Sequence, residues 1–517
     1  MSVPTVVDRS QQPDRIDSFQ FCPLVSVILP TLNGDAHLLE RSVESVLSQH
    51  YADWQLCISD DWSDDDAARE QLVKLASVDR RISLTLGHHR SGVSETLNRA
   101  LEAASGSFIV TLGQSDELHP AALLEVIRCL NERDDFELIY SDEDIVDGNG
   151  EFSLPASKPA IDLEMLATFN YVGHLAALRR STVLALGGFR SVCDGAQDWD
   201  LLLRLLDKVG PGVVHHIAKP LYHCRIQQES AVTNRHKPSI WKASVRALSD
   251  HAEQVGRSAV IEPGLFPGSL RMKQLAPQAI KVAVFLRAED GGFQIGTVRA
   301  GANHGRDISI YQLIDCAVHL VDPGSSSGDL ALIVLSQIPA EVLVFINRPL
   351  ESLNHAFFEE LAAQALRPDC GLVTGISVDA EGRVLDSGFV SPPEGQLTHP
   401  FAGSELSQST HLELSATRSV ETISCDFFAI RREHLVAAGG LSSVSSGQMT
   451  RLVDKLVLNA KRNGLRVIVT PFAVAGFYPD SPSVPIEPPR LPEQRGISLD
   501  PNLLAFGDQT RVIGGIV

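Results

Sequence analysis

The sequence predicts an α/β protein built as two domains, and three observations predict it. Short apolar runs alternate with helical patterns from Val25 onward. A stretch rich in proline and glycine, Pro263–Gln278, interrupts that alternation, and a second one begins at Lys281. At 517 residues the chain is also too long for a single core. Strands alternating with helices of this length build βαβ units and a mostly parallel sheet.

Taken in order, Val25–Pro30 reads as a strand and Leu38–Ser48 as a helix, with apolar residues at 38, 39, 43, 46 and 47. Strands follow at Trp54–Ser59, Ile82–Leu86 and Phe108–Leu112, separated by helices over 65–77 and Val93–Ala104. A helix over 121–132 precedes strands at Phe136–Tyr140 and His174–Leu178. The pattern closes with a helix over 198–207 and short strands at Val213–Ile217 and Leu221–Arg225. In the second half, Lys281–Leu286, Leu330–Leu335 and Val342–Ile346 read as strands and 355–366 as a helix. The expected organisation is a polar tail over 1–23, a domain over 24–262, a linker over 263–279, a second domain over 280–478 and a proline-rich tail over 479–517.

The formal charge of −20 argues against nucleic acid, which needs a basic face, and leaves sugars and nucleotides open. The eight cysteines stand singly, at 22, 57, 129, 193, 224, 316, 370 and 425. Without a C-x-x-C pair they indicate neither zinc nor a disulfide framework, which suits a reducing compartment. The first 24 residues have no apolar core of a signal peptide, and no window reaches 18 uninterrupted apolar residues. The expectation is a cytoplasmic protein without a membrane-spanning helix, compatible with peripheral membrane contact.

Three loops lie at carboxyl ends of strands, where open α/β sheets hold ligands. They are Pro30-Thr31-Leu32-Asn33, Asp60-Asp61-Trp62-Ser63-Asp64 and Gly113-Gln114-Ser115-Asp116-Glu117. Paired aspartates after an early strand suit a base or ribose, while a lone aspartate there more often caps the next helix.

The ordered set LPTLN, ISDDWSDD, GVSETLN, FIVTLGQSDEL, IYSDED, GGF, GAQDWDLLLR and YHCR resembles the family 2 glycosyltransferases of GT-A fold, over roughly residues 24–232. It is most similar to the bacterial branch that builds O-antigen and capsule. The resemblance implies an α/β GT-A domain, a nucleotide-diphosphate sugar as donor, and a glycan, lipid-linked glycan or protein as acceptor. Asp60 with Asp61 matches the base-binding acid, and Pro30, Thr31 and Asn33 match the first nucleotide loop. Asn98 ends GVSETLN and is carried over as a donor contact. Asp198 matches the carboxylate that deprotonates the acceptor in an inverting displacement; it also suits a cap on the helix DWDLLLRLL. Asp200 and Arg204, spaced i,i+4, read as a helix-surface pair. His223 and Arg225 fall near the diphosphate, and Asp142, Glu143 and Asp144 read as acceptor-side or structural.

Family members place D-x-D in the third loop, where its acids hold Mg²⁺ or Mn²⁺. Here Gly113 and Ser115 stand at the acid positions, leaving Asp116 and His223 as metal ligands and Gln114 as a phosphate hydrogen-bonder. The second half resembles the same family more faintly, with Asn347-Arg348 in place of the aspartates, and reads as a degenerate GT-A-like domain. The leading reading is an inverting glycosyltransferase with weak or no metal dependence. The alternative is an inactive transferase-like protein that binds or scaffolds.

Overall fold

The computed structural model describes residues 19–147, 152, 157–225, 238–275, 280–287, 293–299, 315–321, 340–390, 397–408, 411–440 and 449–478. The chain divides into two compact units. The first comprises the residues up to Ile161 together with Val172–Ala247. The second comprises Asp162–Tyr171 and the chain from Leu248 onward.

The first unit begins β1 (Val25–Thr31), α1 (Ala36–Leu47), β2 (Trp54–Asp60), α2 (Asp66–Ala76), β3 (Ile82–Leu86) and α3 (Val93–Ala103). It continues with β4 (Phe108–Thr111), β5 (Glu117–Leu118), α4 (Ala122–Glu132) and β6 (Leu138–Val146). A short helix, α5 (Leu163–Leu166), belongs to the second unit. Then come β7 (Ala176–Arg179), α6 (Arg180–Ala185), α7 (Gln197–Val209), β8 (Val214–Arg225) and α8 (Pro238–Gln254).

The eight strands form one sheet in the order β3-β2-β1-β4-β7-β6-β8-β5. Val25, Val27, Ile28 and Leu29 of β1 are wholly buried, because a central strand covered on both faces has no side for polar residues. Helix α1 starts where Asp35 Oδ1 accepts from the amides of His37 and Leu38, at 3.0 and 3.1 Å. It buries Leu39, Val43 and Val46, spaced to share one face.

Three expectations about this sheet need correction. It is mixed rather than mostly parallel: β7 runs antiparallel between β4 and β6, and β5 runs antiparallel to β8. An apolar run buried on both faces looks the same in either direction. Strand β6 runs on through Ser141–Val146, since its acids find partners. His216 Nε2 lies 2.8 Å from Asp142, buried Lys158 Nζ lies 3.1 Å from Glu143, and His223 Nδ1 lies 2.6 Å from Asp144. The two short strands expected at the end are one, β8. Pro220 is accommodated by register shifts opposite Ser141–Glu143, and a bulge is where a strand tolerates proline.

The second unit opens with a hairpin of β9 (Ala259–Pro263) and β10 (Leu270–Gln274). Much of the expected linker is therefore paired strand; Pro263 and Gly268 mark the turn rather than a flexible joint. Next come β11 (Lys281–Arg287), β12 (Phe293–Arg299), β13 (Asp315–Val321), β14 (Val342–Ile346), β15 (Leu350–Leu353), α9 (Phe357–Ala365), β16 (Cys370–Val378) and β17 (Val384–Asp386). The last are β18 (Arg418–Ser419), β19 (Phe427–Arg431), α10 (Arg432–Ala437), α11 (Met449–Arg462) and β20 (Arg466–Phe477).

The main path of this second sheet is β13-β12-β11-β14-β19-β16-β20-β15, which repeats the first order position for position. It departs at one edge, where β11, β12 and β13 form antiparallel hairpins instead of parallel crossovers. Alternate residues of β11 and β14 serve two cores. Phe285 and Phe345 pack with Leu452 and Leu456 of α11, while Val284 and Val344 pack with Phe357 and Leu361 of α9.

Segment Asp162–Tyr171 is held in the second unit by charge. Glu164, 3% exposed, accepts from Arg257, Arg367 and Arg466. Burial opposes its ionisation, yet Arg367 and Arg257 outweigh it and hold the carboxyl well below the usual range. The expected strand Leu330–Leu335 and the tails over 1–18 and 479–517 lie outside the described residues.

Candidate functional site

The carboxyl ends of β1 and β2 are tied into one platform. Thr31 Oγ1 donates to Asp60 Oδ1 at 3.1 Å, and Asn33 N donates to Ser63 Oγ at 2.9 Å. Asn33 and Asp64 exchange two further bonds, at 3.1 and 2.9 Å. Pro30 is the penultimate residue of β1 and is partly buried.

Both expected base-binding acids face inward. Asp60 is 1% exposed and accepts from Ser63 N at 2.8 Å and Ser63 Oγ at 2.6 Å. Asp61 accepts from Ser91 N, Ser91 Oγ and Gly92 N, at 2.8, 2.7 and 3.0 Å. Burial works against its charge, but these bonds prevail and hold its carboxyl below the ordinary value. Asp61 locks the β2 loop to the start of α3 and Asp60 holds it to β1, so neither presents its carboxylate to solvent. Asn98 is likewise committed: its amide donates to Phe189 O and accepts from Phe189 N, at 2.8 and 2.9 Å. It clamps α3 to the GGF turn.

The third loop is built around Asp116. Its carboxylate accepts from Tyr222 Oη at 2.7 Å and from Arg225 N at 2.9 Å, and burial raises its pKa. Gln114 closes the loop onto β1, accepting from Leu32 N at 2.9 Å and donating to Leu32 O at 3.3 Å. Glu117, which the sequence reading passed over, carries the ion pairs, with Arg41 at 2.8 Å and Arg225 at 2.7 Å. Burial opposes its charge and the two arginines outweigh it. Arg225 is thus neutralised by a protein acid. Tyr222 was also missed; its one signal was a tyrosine inside YHCR.

Asp116 and His223 do not assemble into a metal site. His223 Nδ1 is taken by Asp144, and Asp116 is taken by Tyr222 and Arg225. Among the described residues no group of three His, Cys, Asp or Glu side chains is placed to hold an ion. The donor set does not fit Mg²⁺ or Mn²⁺.

Asp198 has different surroundings. It lies in the first turn of α7, partly exposed, and accepts a hydrogen bond from Gln197 Nε2 at 2.9 Å. Burial pushes its pKa up, against the opposing influence of His174. Asp200 is buried and gripped by Arg190 and Arg204, Nε of each lying 3.0 and 2.9 Å away. The expected helix-surface pair is a triad around a buried acid, because Arg190 arrives from the preceding turn and joins partly exposed Arg204.

The match to known proteins follows this geometry. Residues 26–185 match the model of glycosyl transferase family 2. That part of the chain, 160 of its 517 residues, is similar to family 2. The first unit is an α/β domain with a mixed eight-stranded sheet, and the second unit is a further sheet domain. The O-antigen biosynthesis protein RfbC of Myxococcus xanthus is 29% identical over 475 residues, covering 87% of this chain and 37% of RfbC. WfgD of Escherichia coli, a UDP-Glc:alpha-D-GlcNAc-diphosphoundecaprenol beta-1,3-glucosyltransferase, is 34% identical over 135 residues, 26% of this chain and 51% of WfgD. The chain thus spans between about a third and about half of these relatives' own length. The structure of TarS 1–349 from S. aureus with UDP-GlcNAc aligns over 45% of this chain and 69% of its own, at 16% identity and a TM-score of 0.37. No helix among the described residues is long and apolar enough to cross a membrane.

Proposed function

We propose that the first unit is an inverting glycosyltransferase, taking a nucleotide-diphosphate sugar and delivering it to a glycan, lipid-linked glycan or protein hydroxyl in polysaccharide assembly. Asp198 carries the reading. Asp60, Asp61 and Asp116 each accept two or more hydrogen bonds, whereas the partly exposed carboxylate of Asp198 accepts one among the described residues and can take a proton. As Asp198 removes the acceptor proton, the acceptor oxygen bonds to the anomeric carbon. The bond from that carbon to the diphosphate oxygen breaks, and the electron pair leaves with the diphosphate. RfbC and WfgD support the class of pathway by their names. The cysteines at 22, 57, 129, 193, 224, 370 and 425 form no disulfide, and we place the reaction in the cytoplasm.

The leaving charge is met without a resident metal. The amides of Gln114 and Ser115 donate to no protein acceptor among the described residues, and a loop of free N–H groups suits phosphate oxygens. One observation favours the alternative of a binding protein: Arg225 is already paired with Glu117. A screen of UDP-, dTDP- and GDP-sugars for hydrolysis and binding, with Mn²⁺ or with EDTA, separates the two. The transferase reading expects turnover that survives EDTA. Binding of a nucleotide without turnover of any of these sugars supports the alternative.

A further inference from the structure

We propose that Trp62 is the surface on which the donor's nucleobase stacks; the inference rests on the donor-binding reading above. Within the β2 loop, Asp60, Asp61 and Ser63 are buried and Asp64 is held by Asn33 and Arg90. Trp62 is 40% exposed. The acids expected to recognise the base are spent on holding the loop, and the side chain they hold outward is an indole.

The backbone supports this. Trp62 has φ +62°, a left-handed conformation that bulky side chains rarely adopt and that recurs at ligand clamps. Neighbouring Asn33, on the facing loop, has φ +47°. The cross-loop bonds of Thr31, Asn33, Ser63 and Asp64 fix both. Gly87 lets the β3 loop pass beneath: a Cβ there would lie 2.7 Å from Asp60 O and 3.3 Å from Trp62 N. The ring is also oriented. Arg69 places its guanidinium 4.9 Å from the ring centroid and donates from Nε to Ser63 O at 2.7 Å. A rigid, outward-facing aromatic at the carboxyl edge of β2 offers a π-face to any base, and stacking tolerates base identity.

The experiment titrates UDP, dTDP and GDP by calorimetry and tryptophan fluorescence against the parental protein and the variants Trp62→Gly and Trp62→Phe. Glycine accepts a positive φ without strain, so Trp62→Gly is expected to keep the parental melting temperature while binding nucleotide at least tenfold more weakly. Trp62→Phe should stay within about threefold of the parent. Fluorescence quenching seen in the parent should fall in both to the part that partly exposed Trp241 contributes, because Trp54 and Trp199 are buried. Parental affinity in Trp62→Gly overturns the stacking role and leaves the donor site standing. Absence of binding by the parental protein overturns both.

Discussion

Asp198 and Asp200 lie two positions apart in the first turn of α7, and their surroundings give them different chemistry. Arg190 and Arg204 fix Asp200 as a charged structural tie, whereas Asp198 keeps a half-buried carboxyl with little to hold its charge. Burial favours the neutral acid, so the base form of Asp198 appears only above the ordinary value of 3.8. Transfer should therefore rise with pH along an acid limb lying above 3.8. Asp198→Asn should reduce the rate by two or more orders of magnitude and leave donor binding intact. The expected helix-cap role is not what the structure shows, since Ala196 is the N-cap and Asp198 lies inside the helix; a variant that retains both the rate and the limb would leave Asp198 without a catalytic role.

The third loop yields a second test at this scale. A Cβ on Gly113 would stand 2.3 Å from Asp116 Oδ2, which is pinned by Tyr222. Gly113→Ala should thus cost about 1–3 kcal/mol of stability, measured by urea unfolding. Restoring the full D-x-D is for that reason blocked at its first acid. Ser115→Asp alone avoids the collision and should make donor binding respond to Mn²⁺; indifference to Mn²⁺ would show that the loop cannot be rebuilt singly.

Elements were legible to the degree that their patterns were local. Helix α1 was expected over 38–48 and found over Ala36–Leu47, because an N-cap aspartate and a spaced apolar face are both written within a few residues. Strand β6 was cut short at Tyr140 because its acids looked like loop, and their partners lie far along the chain in Lys158, His216 and His223. Helix α5 was not foreseen at all. Four residues carry no periodicity, and its stability comes from Arg257, Arg367 and Arg466 around Glu164. Removing one acid from such a network leaves buried cations uncompensated. Glu164→Ala should destabilise the second unit by about 3–5 kcal/mol, seen as a lower urea midpoint. An unchanged midpoint would mean that Asp369 alone suffices to balance the arginines.

At the scale of the molecule, the strand order recurs in both units, but the chain composing the second unit is not continuous. Segment Asp162–Tyr171 supplies Glu164, and it supplies Asp162, which accepts from Ser419 N at 2.8 Å. A fragment spanning Leu248–Tyr478 omits both acids while keeping the arginines. We expect it to lack a cooperative thermal transition by circular dichroism, whereas the full chain has one. A fragment that melts cooperatively at the parental temperature would show that the segment is dispensable.

The sequence by itself determined the class of fold, the strands of the first sheet's central half, and which loops end at its carboxyl edge. Apolar runs, caps and ordered motifs are properties of neighbouring residues, so they can be read without coordinates. Only the tertiary structure decided what those loops present. Asp60, Asp61 and Asn98 look like ligand-binding groups in sequence, and distant partners (Ser91, Gly92 and Phe189) or, for Asp60, a loop serine three residues on take up their hydrogen bonds. Arg225 looks like a free cation until Glu117, 108 residues earlier, is found beside it. A polar side chain is available to a ligand only if folding has not already satisfied it, and that depends on contacts between residues far apart in the chain.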